Sequence, residues 1–277
     1  MKQGSTIGRV LHLSIILLLA LFVFAPFYVQ IIYSLKTPAE VAESGIAFPT
    51  RLYLGNYVEA LENTKLMGAF LRTLLVTVTS VLVLQCIAPV CAWVLVRQEK
   101  RRFYNFQYYL YLSAIMLPFQ VVMLPLYSFF RQIGLLNTIP GLIIGICGFQ
   151  LPYNVFVTAS FVKTVPISME EAARIDGASV FSTYWRVVFP LLKPITITTL
   201  ILNTLSAWND FQITVVLAFK ENVRTLQYAL YMFFGQYSAQ IHQAFAAFLI
   251  TMLPVIILYL ALQKYLIQGL TAGAIKE

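Results

Sequence analysis

Charge is what this 277-residue chain has least of: Asp, Glu, Lys and Arg make up 11% of it, against about 25% in an ordinary soluble domain. With 60% of residues hydrophobic and a mean hydropathy of +0.79, a water-soluble globule is not expected. Cysteine is scarce too. Cys86, Cys91 and Cys147 are odd in number, lie within apolar segments and lack CxxC spacing, so they imply neither a disulfide framework nor a zinc site and read as small packing residues. The two histidines, His12 and His242, share no metal spacing, and neither is assigned a ligand role. No GxxxxGK[ST] loop occurs, and no Gly-Lys dipeptide at all, so the chain does not cradle ATP in the P-loop manner. The net charge of +8 comes from 19 Lys and Arg dispersed between apolar runs rather than gathered on one basic face, which argues against a nucleic-acid partner.

What the sequence has instead is long uncharged stretches. About 20 apolar helical residues cross a hydrocarbon core about 30 Å thick. Charge-free runs extend over Val10–Leu35, Thr73–Val96, Phe103–Phe130, Gln132–Val162, Pro194–Asn209 and Thr225–Gln263. The last is too long for one span; the polar residues Gly235 to Gln243 in its first half suggest an external element, with the span beginning near Ala244. The fold class expected is therefore an all-α membrane protein with six transmembrane helices near residues 10–35, 68–96, 105–129, 138–162, 194–219 and 244–264. Lys and Arg in short loops stay on the cytoplasmic side. Placing both termini there gathers Lys2, Arg9, the cluster Arg97 to Arg102, the basic residues of 163–193, Lys264 and Lys276 inside. The first span exceeds the core of a signal peptide and shows no convincing cleavage site, so it reads as a retained anchor. Three regions follow: an anchor helix and external loop (1–67), a core domain (68–264) with a cytoplasmic loop at 163–193, and a cytoplasmic tail (265–277).

That loop is the most charged part of a charge-poor chain. After Pro166, Ser168 and Glu171 have the spacing of a capping box, and Ala172 and Ala173 favour helix. Asp176-Gly177 then interrupts it, since glycine accepts the left-handed backbone that ends helices, and Ser179 caps a second helix running to about Phe189. Val180, Phe181, Tyr184, Val187 and Val188 recur at helical spacing and predict one apolar side. A short helix, sharp turn and helix of this kind suits insertion into a groove on a partner; the plainer alternative is a helix pair lying on lipid headgroups.

Glu171-Ala172-Ala173, then Asp176-Gly177-Ala178, Tyr184, Val187, Pro190 and Pro194, resemble the EAA loop of ABC-importer permeases. Trp208-Asn209-Asp210-Phe211 and the tail Gln268 to Lys276 are similar to the carbohydrate-uptake type, in particular the six-helix permease subunit of maltose importers. Tyr184, where Phe is common, and a terminal Glu277 depart from the pattern. The resemblance implies that the loop is a coupling helix docking into a cytoplasmic ATPase, with Glu171, Ala172, Ala173, Asp176 and Gly177 in that role. It also implies that the tail, including Gly269, Thr271, Gly273 and Lys276, reaches the ATPase dimer interface. The implied partners are a second permease subunit, two ATPase subunits that hold the ATP and Mg²⁺, and an extracytoplasmic sugar-binding protein. The chain itself would carry no cofactor and no enzymatic activity, and would sit among the lipids of a bacterial inner membrane.

Asp210 is the one acid well inside an apolar segment, which makes it a functional candidate. Sixteen steps of 1.5 Å from Pro194 put it about 24 Å along the fifth span, toward its outer end; holding the helix end, gating a cavity and touching sugar all remain open. Asn203, Thr204, Ser206, Trp208 and Asn209 supply the hydrogen-bonding groups and aromatic face that a neutral sugar needs, though Trp208 equally suits an interfacial anchor. Pro118 and Pro125, with Gly141, Gly145 and Gly148, mark expected kinks and close helix contacts. Two other readings stand beside the importer: an ion-coupled secondary transporter using Asp210, which leaves the loop unexplained, and a membrane subunit that docks a cytoplasmic protein without moving solute.

Overall fold

The computed structural model describes residues 6–63, 66–236 and 240–274, and every regular element among them is helical. In chain order these are α1 Thr6–Ser34, α2 Pro38–Glu43, α3 Gly55–Asn63, α4 Leu66–Arg97, α5 Arg102–Ile115, α6 Phe119–Gln132, α7 Ile139–Val162, α8 Ile167–Ile175 and α9 Val180–Thr183. A π-helical turn at Tyr184–Val188 follows, then α10 Phe189–Leu191, α11 Lys193–Trp208, α12 Gln212–Leu217, α13 Leu226–Gln236 and α14 Ile241–Ala274. Among the described residues, Gly8–Ser34, Leu66–Arg97, Ile139–Val162 and Ile241–Ala261 are each long and apolar enough to cross a membrane, and two bent helix pairs, if each is one span, bring the number up to six.

The bent pairs correct two expected spans. In place of one helix over 105–129, α5 and α6 meet at 108°, because Pro118 takes an extended backbone (φ −62°, ψ 139°) and disfavours helix in the residue before it. In place of one helix over 194–219, Val180–Leu191 meets α11 at 74°, and α11 stops at Trp208. The carboxylate of Asp210 then accepts from the backbone N–H of Thr214 (3.0 Å) and of Ile213 (3.4 Å), which satisfies the first donors of a separate helix, α12. The last span starts earlier than expected, at Ile241, so His242 is a buried residue of α14 rather than part of an external loop.

The chain divides into two compact units, residues up to Met67 with Ala229–Leu253, and Gly68–Tyr228 with Pro254 onward. In the first, Asn56 donates to the carbonyls of Ser34 (2.9 Å) and Lys36 (2.8 Å) and so closes the C-terminal end of α1. In the second, α7 packs without side-chain bulk: a Cβ on Gly145 would stand 2.5 Å from Leu217 Cδ1, and one on Gly141 would stand 2.1 Å from the Leu135 carbonyl oxygen. Gly148 has open space beside it, so it does not mark the close contact expected of it. Leu142, Ile146, Ile213 and Leu217 form one core here, and Trp93, Val155, Ala159, Tyr184 and Val188 belong to another at the opposite end of α7.

Candidate functional site

Between α7 and α11 the chain makes the expected helix, turn and helix. Gly177 adopts φ 83°; its N–H donates to Arg174 (3.0 Å) and that of Ala178 to Ala173 (2.9 Å), the two bonds of a Schellman ending. No atom lies within 4 Å of where a Gly177 Cβ would be, so glycine is needed there for backbone conformation, not for space. Ser179 caps α9 by accepting from the Ser182 N–H (3.2 Å). The start of α8 differs from the expectation: Pro166 occupies the N-cap and no side chain caps the helix. Ser168 sits inside the first turn, because Pro166 with ψ 127° already turns the chain into the helix before the serine is reached. The second helix is also less regular than expected. Pro190 has no N–H to offer the carbonyl four residues back, and the winding widens just before it, with Phe189 N–H reaching Tyr184. The expected apolar side is consequently split. Tyr184 and Val188 turn into the core while Val180 and Phe181 stay exposed, Phe181 at 73%.

Glu171, Ala172, Asp176 and Gly177 are exposed and Ala173 is half-buried. Ile175, 86% exposed, and Phe181 lie on either side of the glycine turn. The element therefore offers apolar side chains and a carboxylate outward at its tip. Its neighbour Glu170 does the opposite. It is 2% exposed, its Oε1 accepts from Arg97 Nε at 2.8 Å and its Oε2 from Trp93 Nε1 at 3.1 Å. Arg97 Nη2 also donates to the Val165 carbonyl (2.9 Å), and the Trp93 ring lies 5.2 Å from that of Tyr184. The sequence points to neither Glu170 nor Trp93, and to Arg97 only as part of a basic cluster. Arg97 and Glu170 are 73 residues apart, and a Glu-Glu pair gives no sign of which member is buried.

A second polar set lies where α7 meets α11. Asn154 and Asn203 exchange amide hydrogen bonds, 2.8 Å each way, and Gln150 Nε2 donates to Ser206 (3.1 Å). Gln85 of α4 pairs with Thr199 (3.2 Å). Of the residues expected to line a path, Asn203 is buried at 2% exposure and Trp208 is buried with an edge contact to Phe70, whereas Ser206 and Asn209 are exposed. Asn209 accepts from Gln227 (3.2 Å), and Asp210 is bound to the start of α12. The five face different neighbours. Gln150 and Asn154 were missed in the sequence, although polar side chains four apart in an apolar span are the signal that would have found them. In the tail, Gly269, Thr271 and Gly273 continue the backbone of α14, and Lys276 lies outside the described residues.

Apolar spans, a helix–glycine–helix element between two of them and polar interhelical pairs define a helical membrane permease. The chain belongs to the family of binding-protein-dependent transport system inner membrane components, matched over residues 86–272, and is a multi-pass inner-membrane transport subunit. It is 36% identical over 261 residues, 94% of each chain, to a probable starch degradation products transport system permease of Thermoanaerobacterium thermosulfurigenes. It is 36% identical over 274 residues, 97% of this chain and 99% of the relative, to a melibiose/raffinose/stachyose import permease of Bacillus subtilis. A chain from the crystal structure of a bacterial ABC transporter involved in import of the acidic polysaccharide alginate superposes with a TM-score of 0.82, covering 96% of this chain and 99% of that one at 24% identity, and shows the same fold. The resemblance to sugar ABC-importer permeases drawn from the sequence therefore holds.

Proposed function

We propose that this chain is one of two membrane-spanning subunits of an ATP-driven importer of neutral sugars or oligosaccharides, supplying half of the translocation path. The observation that carries the reading is the exposed tip at Ile175, Gly177 and Phe181, a short stiff element suited to a groove on another protein. In this reading Glu171, Ala172, Ala173, Asp176 and Gly177 dock on a cytoplasmic ATPase, two copies of which hold ATP and Mg²⁺. The tail from Gly269 to Lys276 meets their interface, both termini are cytoplasmic, and an extracytoplasmic binding protein delivers the sugar. Closure of the ATPases moves the docked helices and tilts the spans between inward- and outward-open states.

The relatives in Thermoanaerobacterium and Bacillus are a probable starch degradation products permease and a melibiose/raffinose/stachyose import permease, which supports carbohydrate as the cargo. Ser206 and Asn209, exposed and hydrogen-bonding, are the residues proposed to meet sugar hydroxyls; Asn203, Trp208 and Asp210 hold the helices that present them. The test is uptake of labelled sugars by proteoliposomes containing the co-purified complex and its binding protein. ATP-dependent uptake of one sugar class is expected. Uptake driven by an ion gradient alone, or no flux despite a bound ATPase, overturns the reading.

A further inference from the structure

Five groups at the end of α4 and in the segment after α7 make a connection that the chain's sequence order does not suggest. The coupling element α8 follows α7 and leads, through α9 and the π-helical turn, to α11, so motion at its tip would be expected to pass into those two spans. The side chains attach it instead to α4. Glu170, buried beside the exposed Glu171, is held by two donors that both come from the last turns of α4, Trp93 and Arg97. Arg97 bridges to Val165, just before Pro166, so one guanidinium grips α8 and the chain leading into it. Trp93 gives its indole N–H to Glu170 and its ring face to Tyr184, so one indole grips both helices on either side of Gly177.

We infer that Glu170, with Arg97 and Trp93, is a positioning latch that transmits displacement of the docked α8 into α4, and that it sets how much transport each ATP hydrolysis yields. A buried carboxylate facing a guanidinium has a narrow range of acceptable geometry, because separating the two leaves an uncompensated charge. A link of this kind therefore moves as a rigid joint. An apolar contact would slide, and a surface ion pair would open in water. The inference rests on the proposed docking of α8 to an ATPase, and concerns what happens after docking.

The test uses the full complex in proteoliposomes, with Glu170→Gln, Trp93→Phe and Arg97→Lys compared to wild type for bound ATPase, ATP hydrolysis rate and sugar taken up per ATP hydrolysed. Glu170→Gln and Trp93→Phe are expected to keep the ATPase bound and hydrolysing while uptake per ATP falls at least about five-fold. Arg97→Lys, which keeps the charge, is expected to fall less. A ratio within error of wild type for both Glu170→Gln and Trp93→Phe overturns the latch. Loss of bound ATPase in these variants, with wild type binding normally, also overturns it, by making Glu170 a docking residue. Should wild type itself neither bind nor respond to ATP, the failure lies with the proposed function. If Glu170→Gln does not assemble, Trp93→Phe removes one hydrogen bond, leaves the ion pair in place and decides alone.

Discussion

At the scale of single residues, Gly177 and Asp210 hold backbone rather than chemistry, and substitutions separate the two roles. A β-branched residue at φ 83° costs about 1–3 kcal/mol of local strain, and nothing surrounds the position to clash with it. Gly177→Val is therefore expected to insert and assemble its spans normally but to recover less ATPase on co-purification; equal recovery with normal transport would sink the docking role. Asp210 engages the backbone N–H groups of Ile213 and Thr214 and the Thr214 hydroxyl. Asp210→Asn retains the oxygen that accepts from both Thr214 donors and is expected to keep ATP-dependent uptake, whereas Asp210→Ala loses the cap at about 1 kcal/mol and lowers the thermal midpoint of the complex. Abolished uptake in an intact Asp210→Asn complex would place the acid in transport itself.

At the scale of elements, α7 is fixed to its surroundings by two different means. Gly141 lets α7 approach the carbonyl of Leu135, a backbone atom that cannot swing aside. Gly141→Ala is thus expected to destabilise by about 1–3 kcal/mol, read as a lower melting temperature of the purified complex. The Asn154–Asn203 pair joins α7 to α11 in a buried setting. Replacing either with Leu strands the other amide at about 1–3 kcal/mol. The double replacement should cost less than the sum of the singles, which a thermal double-mutant cycle would show directly.

These elements also show what sequence can and cannot express. The Gly177 turn was legible because φ above zero is a property of one residue type, and so was the cap by Ser179. The break at Pro118 was legible as a kink, but no local signal gives its 108° size. Ser168 and Glu171 had a capping-box spacing that Pro166 pre-empted. Arg97 was legible only as a topology signal, since its partner Glu170 becomes its neighbour through the fold. Of the path candidates, composition could assign polar residues to α11 but not say that Asn203 turns toward Asn154 while Ser206 stays exposed.

At the scale of the whole molecule, the proposed direction of insertion decides whether α8 and Gly177 can meet a cytoplasmic ATPase. If Arg97 to Arg102 and the loop 163–193 face the cytoplasm, then Thr50, in the stretch between α2 and α3, faces the other side, because α1 and α4 are successive spans. Thr50 and Ser179 are both exposed, and neither belongs to a span. Cys86 is exposed and Cys91 and Cys147 are half-buried, so all three are first replaced by Ala. In that background Thr50→Cys is expected to react with a membrane-impermeant maleimide added to intact spheroplasts, and Ser179→Cys only after the membrane is opened. The reverse pattern would put α8 and Gly177 where no ATPase can reach them, and would remove the basis for ATP coupling whatever solute the complex carries. Labelling of both sites in intact cells would mean that the intervening spans do not all cross, which would make the 108° bend a re-entrant turn rather than a broken span.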